Sequence, residues 1–290
     1  MDKLLKLSLL GAAAFVASNA APAKALAADL IPEPPVIEVP EVVQKKVGGW
    51  YIRGDIGYSW LEQDGYYYNP SVQSVIHGAD VNTDDAFALR GGIGYQINQN
   101  FRVDATVGYK FSHGIDGTTG PQAFAPIGCE QIVGTVSTVV PCDGVEHVDA
   151  TRLDVMANAY VDLGTFGGLT PYVGAGIGGS YVSYDDLTNT FDCTNATPIT
   201  IPAGSVSSIP CGQTFTHPGD GEFRFAYALH AGASYDISHQ VKLDFGYTYT
   251  HVEGGKLAGI DTTAAVSGPL IHDKGFSDHT VTLGLRYHMW

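Results

Sequence analysis

Val281-Thr-Leu-Gly-Leu-Arg-Tyr-His-Met-Trp290 alternates apolar and polar residues almost to the end of the chain. Val281, Leu283, Leu285, Tyr287 and Met289 share one face of an extended segment. Thr282, Gly284, Arg286 and His288 share the other. A period of two describes a strand with two unlike faces. Such a strand at a chain end can close a membrane sheet on itself, which removes the sheet's edges.

The chain supplies seven matching segments. In the first, Trp50, Ile52, Gly54, Ile56, Tyr58 and Trp60 oppose Tyr51, Arg53, Asp55, Gly57 and Ser59. Comparable alternation recurs over 87–97, 101–111, 152–162, 169–184, 223–236 and 241–249. Each is about ten residues or a little more, the length a tilted strand needs to cross hydrocarbon. Short connections fall at 98–100, 164–168 and 238–239, and long ones at 61–86, 112–150, 185–221 and 252–277. The pattern predicts an all-β, eight-stranded antiparallel up-and-down transmembrane barrel with four long extracellular loops and both termini periplasmic.

Aromatic residues mark the ends of the apolar faces. Trp50, Tyr95, Phe101, Tyr235 and Tyr287 lie toward the short turns; Tyr58, Trp60, Phe87, Tyr109, Phe111, Tyr181, Phe223 and Tyr249 lie toward the long loops. Two aromatic girdles around an aliphatic band match the demands of a bilayer. A soluble barrel would leave the girdles without a purpose.

The front of the chain fits that setting. Residues 1–27 read as a secretory signal: Lys3 and Lys6 precede an apolar run from Leu4 to Ala17, and Ala25-Leu26-Ala27 is a small-x-small cleavage site. Removing Asp2, Lys3, Lys6 and Lys24 takes away a net +2, so the formal −15 becomes −17. Such acidity argues against nucleic acid and against anionic lipid headgroups as direct partners. Residues 28–48, rich in Pro, Glu and Val, read as an extended periplasmic tail, and 49–290 as the barrel.

The sequence resembles the small OmpA-like eight-stranded outer-membrane β-barrel family of alphaproteobacteria, the porin-like surface antigens. The matching stretches are Gly49-Trp-Tyr-Ile-Arg-Gly-Asp-Ile-Gly-Tyr58, Thr170-Pro-Tyr-Val-Gly-Ala-Gly-Ile-Gly178 and Gly284-Leu-Arg-Tyr287. The family usually ends Tyr-x-Phe, whereas here Trp290 follows Tyr287-His-Met289. The resemblance implies a Gram-negative outer membrane, lipid and lipopolysaccharide as surroundings, and barrel-assembly machinery engaging the C-terminal strand. It also implies a structural role in envelope integrity, with loops open to extracellular protein partners.

Eight strands leave an interior just wide enough for side chains. The inward face carries Arg53, Asp55, Arg90, Arg102, Asp104, Lys110, Arg152, Asp154, Arg224, Lys242, Asp244 and Arg286, with Asp162 and Asp236. Opposite charges in so narrow a space should pair, because an unpaired buried charge is costly. A salt-bridged plug is the expectation, and a narrow ion or solute channel the alternative.

Cys129 and Cys142 fall in the second loop, Cys193 and Cys211 in the third. One disulfide per loop is expected in an oxidising compartment. The first three loops carry many carboxylates and no Lys or Arg. Loop histidines His77, His113, His147, His217 and His272, with His279 at the rim, leave a haem- or metal-binding receptor as a further alternative. The chain nevertheless reads as having no cofactor, no metal site and no catalytic residues. His230 and Ser234 lie roughly 13 Å apart along one strand, and His251 with Glu253 has no obvious serine. Gly174-Ala-Gly-Ile-Gly-Gly179 sits inside a strand, so its dinucleotide reading fails.

Overall fold

The computed structural model describes residues 48–289 apart from 64, 70–75, 78–79, 120–127, 134–135, 141–142, 194–207 and 259–269. Residues 1–47, which include the span read as a secretory signal and nearly all of the Pro-rich segment, lie outside the described residues, as do Cys142 and Trp290.

Eight long strands form a closed ring in chain order. They are β1 (Gly49–Gln63), β2 (Ala86–Gln96), β3 (Phe101–Thr119), β4 (Asp143–Asp162), β5 (Leu169–Tyr184), β6 (Gly221–Asp236), β7 (Val241–Ala258) and β8 (Leu270–His288). Every neighbouring pair is antiparallel, and β8 returns to β1 with Tyr51 opposite His288 and Gln63 opposite Phe276. The C-terminal strand therefore closes the sheet, and none of the eight is left with a bare edge in the ring.

Alternation sets which side chains face out. Ile52, Ile56, Leu89, Val107, Val155, Ile177, Leu229 and Leu285 are exposed on the outer wall, while Tyr51, Arg53, Arg102, Arg152 and Arg286 are buried inside. An apolar exterior around a charged interior is the inverse of a soluble protein and suits hydrocarbon. Aromatics cap the band in cross-strand pairs: Trp50 meets Tyr95 and Tyr58 meets Phe87, both edge-on at 5.3 Å.

The strands outrun the expected ten residues. β3 has 19 residues, β4 has 20, β7 has 18 and β8 has 19. Much of 112–150 and 252–277 is thus strand, not loop. Two physical effects hide this in the sequence. Beyond the aromatic girdle the outer face no longer meets lipid, so it turns polar, as at His147 and Asp149. The inside–outside phase also slips. The β3–β4 register shifts between Lys110 and His113, so Lys110 and His113 both point inward across an odd step. On β8, Gly275 adopts φ +99°, open to glycine at little cost, and Asp273 and Phe276 are both buried across it.

Above these slips apolar side chains join the buried charges inside the ring. Tyr66, Ile115, Val148, Ala150, Val182, Tyr184, Val252, Leu257, Ile271 and Phe276 belong to a buried apolar cluster toward the long-loop end of the ring, which reaches past Arg152 to Met156 and Ala226. That end packs apolar side chains around buried charges, Arg224 with Asp273 among them.

Shorter strands thicken the same end. Tyr66–Asn69 pairs with β8, Asp80–Thr83 with β3, and Leu187–Asp192 with β4 and with Thr214–His217. Gly128–Val133 pairs with Val136–Val140 and, in parallel, with Ser208–Pro210. Cys129 thus faces Ile209 across the two loops, and the second and third loops share one sheet.

Candidate functional site

The inward side chains stack in layers. Nearest the short turns, Arg53 pairs with Asp55 and Asp104, both at 3.0 Å. Arg102 pairs with Asp162 at 3.1 Å and Arg286 with Asp244 at 2.8 Å. The Arg102 guanidinium lies between the Tyr160 and Tyr172 rings, 4.2 and 4.5 Å from their centroids. Its Nη1 and Nη2 are buried without a hydrogen-bond acceptor among the described residues. Cation–π contact takes the place of those bonds, at about 2 kcal/mol per desolvated contact.

The middle layer centres on Asp278. It receives Lys110 at 2.6 Å and Arg152 at 2.5 Å, while Arg152 also binds Asp154 at 2.8 Å. A small cavity of about 20 Å³, lined by Asp55, Arg90, Lys110, Asp154 and Thr282, adjoins these layers. Arg90 borders it and makes no ion pair among the described residues. At the long-loop end Arg224 pairs with Asp273 at 2.6 Å, and Tyr184 donates to the same carboxylate at 3.1 Å. Lys242 pairs with Asp236 near the short turns.

Of the Arg/Lys-x-Asp repeats, Arg53/Asp55 and Arg152/Asp154 pair internally. Asp104 turns instead to Arg53, and Asp244 to Arg286. The sequence reading missed two central partners, Asp273 and Asp278, and with them Glu146. Asp278 was in phase with Thr280 and Arg286 and could have been found by counting back in twos. Asp273 lies beyond the slip at Gly275, and Glu146 beyond the span read as strand. Glu146 accepts from Tyr66 at 2.7 Å and from Asn189 at 3.0 Å.

Glycines make room for these side chains. A Cβ at Gly94 would collide with the Tyr51 ring, at Gly174 with Tyr160 and at Gly176 with Asn158. The glycine run of β5 thus answers inward neighbours on β4.

The catalytic candidates separate. His230 faces Thr248 and Asn158, both at 3.1 Å, whereas Ser234 accepts from Arg286. His251 does have a serine, contrary to the sequence reading: its Nδ1 lies 3.0 Å from Ser277 Oγ, contributed by the facing strand. Tyr249 shares that hydroxyl at 2.9 Å, and no carboxylate among the described residues hydrogen-bonds to His251. The pair lacks the third group that orients a catalytic imidazole.

In the loops, Cys193 and Cys211 form a disulfide with Cα atoms 5.9 Å apart. Cys129 is also disulfide-bonded, while Cys142 lies outside the described residues. Cys129, Val140, Phe191 and Cys193 pack together with Cys211. His113 is buried, His147 is exposed beside Asp116, and His279 stacks on Trp60 at 5.9 Å. Among the described residues no cluster of three or more His, Cys, Asp or Glu is placed to hold a metal ion.

A closed ring with an apolar wall, girdles and a charged lumen now stands beside a family match. The family described as outer membrane protein beta-barrel domain matches residues 9–288. The chain belongs to that family. An uncharacterized protein of Brucella suis is 37% identical over 91% of this chain and 92% of its own. A Rickettsia bellii protein named as a candidate adhesin is 26% identical over 82% of this chain and 87% of its own. Among solved structures, Neisserial surface protein A matches 83% of this chain and 97% of its own at 14% identity, with a TM-score of 0.43. As a member of an outer-membrane family, this barrel resides in lipid, and its apolar band is the part that meets it.

Proposed function

We propose that this outer-membrane barrel is a structural and surface-interaction protein that supports envelope integrity. In this reading the long-loop end is extracellular, both termini are periplasmic, and an acidic, sheet-bound cap is displayed outward. The carrying observation is the sealed interior. Paired charges fill the short-turn half and the middle of the lumen, and toward the long loops an apolar cluster packs around the Arg224–Asp273 pair. A ring built this way has invested its interior in rigidity, and its strands carry the cap well beyond the girdle. The name borne by the Rickettsia bellii relative agrees with a surface role.

The test is rescue of a deletion strain from detergent and EDTA sensitivity. Full-length protein is compared with a barrel whose long loops are cut to short turns at the girdle. Restoration by the full-length chain alone assigns the activity to the cap. Equal restoration by both assigns it to the membrane scaffold, and failure of both removes the envelope role.

A further inference from the structure

From Gly48 onward all but two of the lysines and arginines face the lumen. The two are Lys256 on β7 and Lys274 on β8, both exposed on the outer wall. Glu253 on β7 and Glu62 on β1 are exposed on the same wall. None of these four makes an ion pair among the described residues, whereas inside the ring Arg53, Arg102 and Arg286 each hold an aspartate. Register sets their order across the wall. Glu62 lies opposite Ser277, Ser277 opposite His251, and His272 opposite Lys256. β8 therefore runs down the middle, with Glu62 on its β1 side and Lys256 and Glu253 on its β7 side.

Beside these charges the aromatic girdle turns polar. Trp60 stacks on His279 with planes 11° apart, and Tyr247 Oη meets His279 Nδ1 at 2.5 Å. Tyr249 and His251 both meet the Ser277 hydroxyl, at 2.9 and 3.0 Å. Ser277, His251 and His279 are only half-buried by their own chain. Other girdle pairs are ring on ring, as Trp50 is on Tyr95 and Tyr109 on Phe111. Two imidazoles and a hydroxyl on a lipid-facing wall carry hydrogen-bonding capacity that acyl chains cannot use. A second protein wall can use it, and tyrosine and tryptophan are the side chains that interfaces favour.

We propose that the wall centred on β8 docks against the same wall of a second copy of this chain, forming a two-fold dimer in the membrane. A two-fold axis along the membrane normal sets β8 against β8 and exchanges left for right. β7 of each copy then faces β1 of the other. Lys256 meets Glu62 of the second copy, and the contact occurs twice. Trp60 with its stacked His279 meets Tyr249 and His251 of the second copy, so the polar girdle is covered from both sides. Lys274 adds a further cation beside the axis, with Glu253 one strand away as its counterpart. Charge decides the occupant. The first three loops carry carboxylates and no Lys or Arg, so acidic surface meeting acidic surface repels. This wall holds both signs and complements its own copy.

The experiment refolds the full barrel into phosphatidylcholine vesicles, with a donor or an acceptor dye attached ahead of Gly48. Energy transfer is followed over a range of protein-to-lipid ratios. Wild type should show transfer above that of randomly placed barrels. Lys256→Glu alone, or Glu62→Lys alone, should weaken association about ten-fold or more, because two like-charge contacts replace two pairs. Donor-labelled Lys256→Glu mixed with acceptor-labelled Glu62→Lys should recover the wild-type signal, since each copy then supplies what the other lacks. A role for either residue within its own chain would not produce that recovery. An unchanged far-ultraviolet β signal confirms that each variant is folded. Random-level transfer by wild type, undiminished transfer by the single variants, or no gain on mixing them overturns the proposal.

Discussion

Asp278 is fully buried, and it receives Lys110, Arg152 and the Thr280 hydroxyl. Removing one partner of a buried ionic cluster leaves the others desolvated and uncompensated, at about 3–5 kcal/mol. Asp278→Ala is therefore expected to lower unfolding stability in lipid by about that amount, measured by urea titration in vesicles. A loss below about 1 kcal/mol would show that water, not the carboxylate, solvates Lys110 and Arg152. His147 gives the contrasting case at the surface. Its hydrogen bond to Asp116 at 2.7 Å holds its pKa above the ordinary histidine value, with Asp149 adding a weaker attraction. A raised folded pKa contributes stability that is complete below the unfolded value of about 6.5 and lost as pH rises through the folded one. NMR titration should place His147 above a free imidazole, and Asp116→Asn should bring it down. A titration unmoved by that substitution would remove Asp116 as the cause.

At the scale of the strand, the membrane half was legible because lipid outside and charge inside enforce a strict period of two. The other half was not, since both conditions lapse at the girdle. β4 keeps its phase back to Gly144, yet outward His147 and Asp149 disguise it as loop. β8 changes phase at Gly275, where an added Cβ would sit 2.7 Å from the Val252 carbonyl in a positive-φ backbone. Gly275→Ala should cost about 1–3 kcal/mol and speed amide exchange in 270–277 while leaving 280–288 protected. Uniform exchange along β8 would argue against a local slip. The cap has its own fastening. The Cys193–Cys211 bridge closes a separation of 18 residues and lies against Phe191. A double Cys→Ser variant should lose about 3 kcal/mol of chain-entropy stabilisation in the cap. Faster exchange confined to 187–193 and 208–217 is expected, and loosening of the eight-stranded ring would contradict it.

For the whole molecule, alternation, loop lengths and girdles were enough to read a closed ring, because membrane geometry allows few other solutions. What filled the ring was only half visible. Inward Arg and Asp could be listed from phase, but their partners are set by neighbours far apart in sequence, as Arg53 is from Asp104 and Lys110 from Asp278. The apolar cluster was visible only in part: Met156, Val182, Tyr184 and Ala226 lie in spans that read as strands, whereas Tyr66, Ile115, Val148, Val252, Leu257, Ile271 and Phe276 lie in segments that read as loops. Together these fillings support the proposed sealed scaffold over a pore. An ion entering from the short turns meets the Arg102 guanidinium clasped by Tyr160 and Tyr172, then the Asp278 layer. Beyond that it meets the Arg224–Asp273 pair set among Ile115, Val148, Leu257 and Ile271, whose apolar side chains replace none of its hydration. Stripping an ion of water in such a medium costs several kcal/mol even after relaxation. Purified protein in a planar bilayer should therefore give no unitary conductance steps. Trimming apolar side chains at the long-loop end alone, with Val148→Gly and Ile271→Gly, should still give none, because the charged layers remain packed beneath. Steady steps from the wild-type barrel would mean that these layers part in the membrane, and the sealed scaffold would give way to a gated channel.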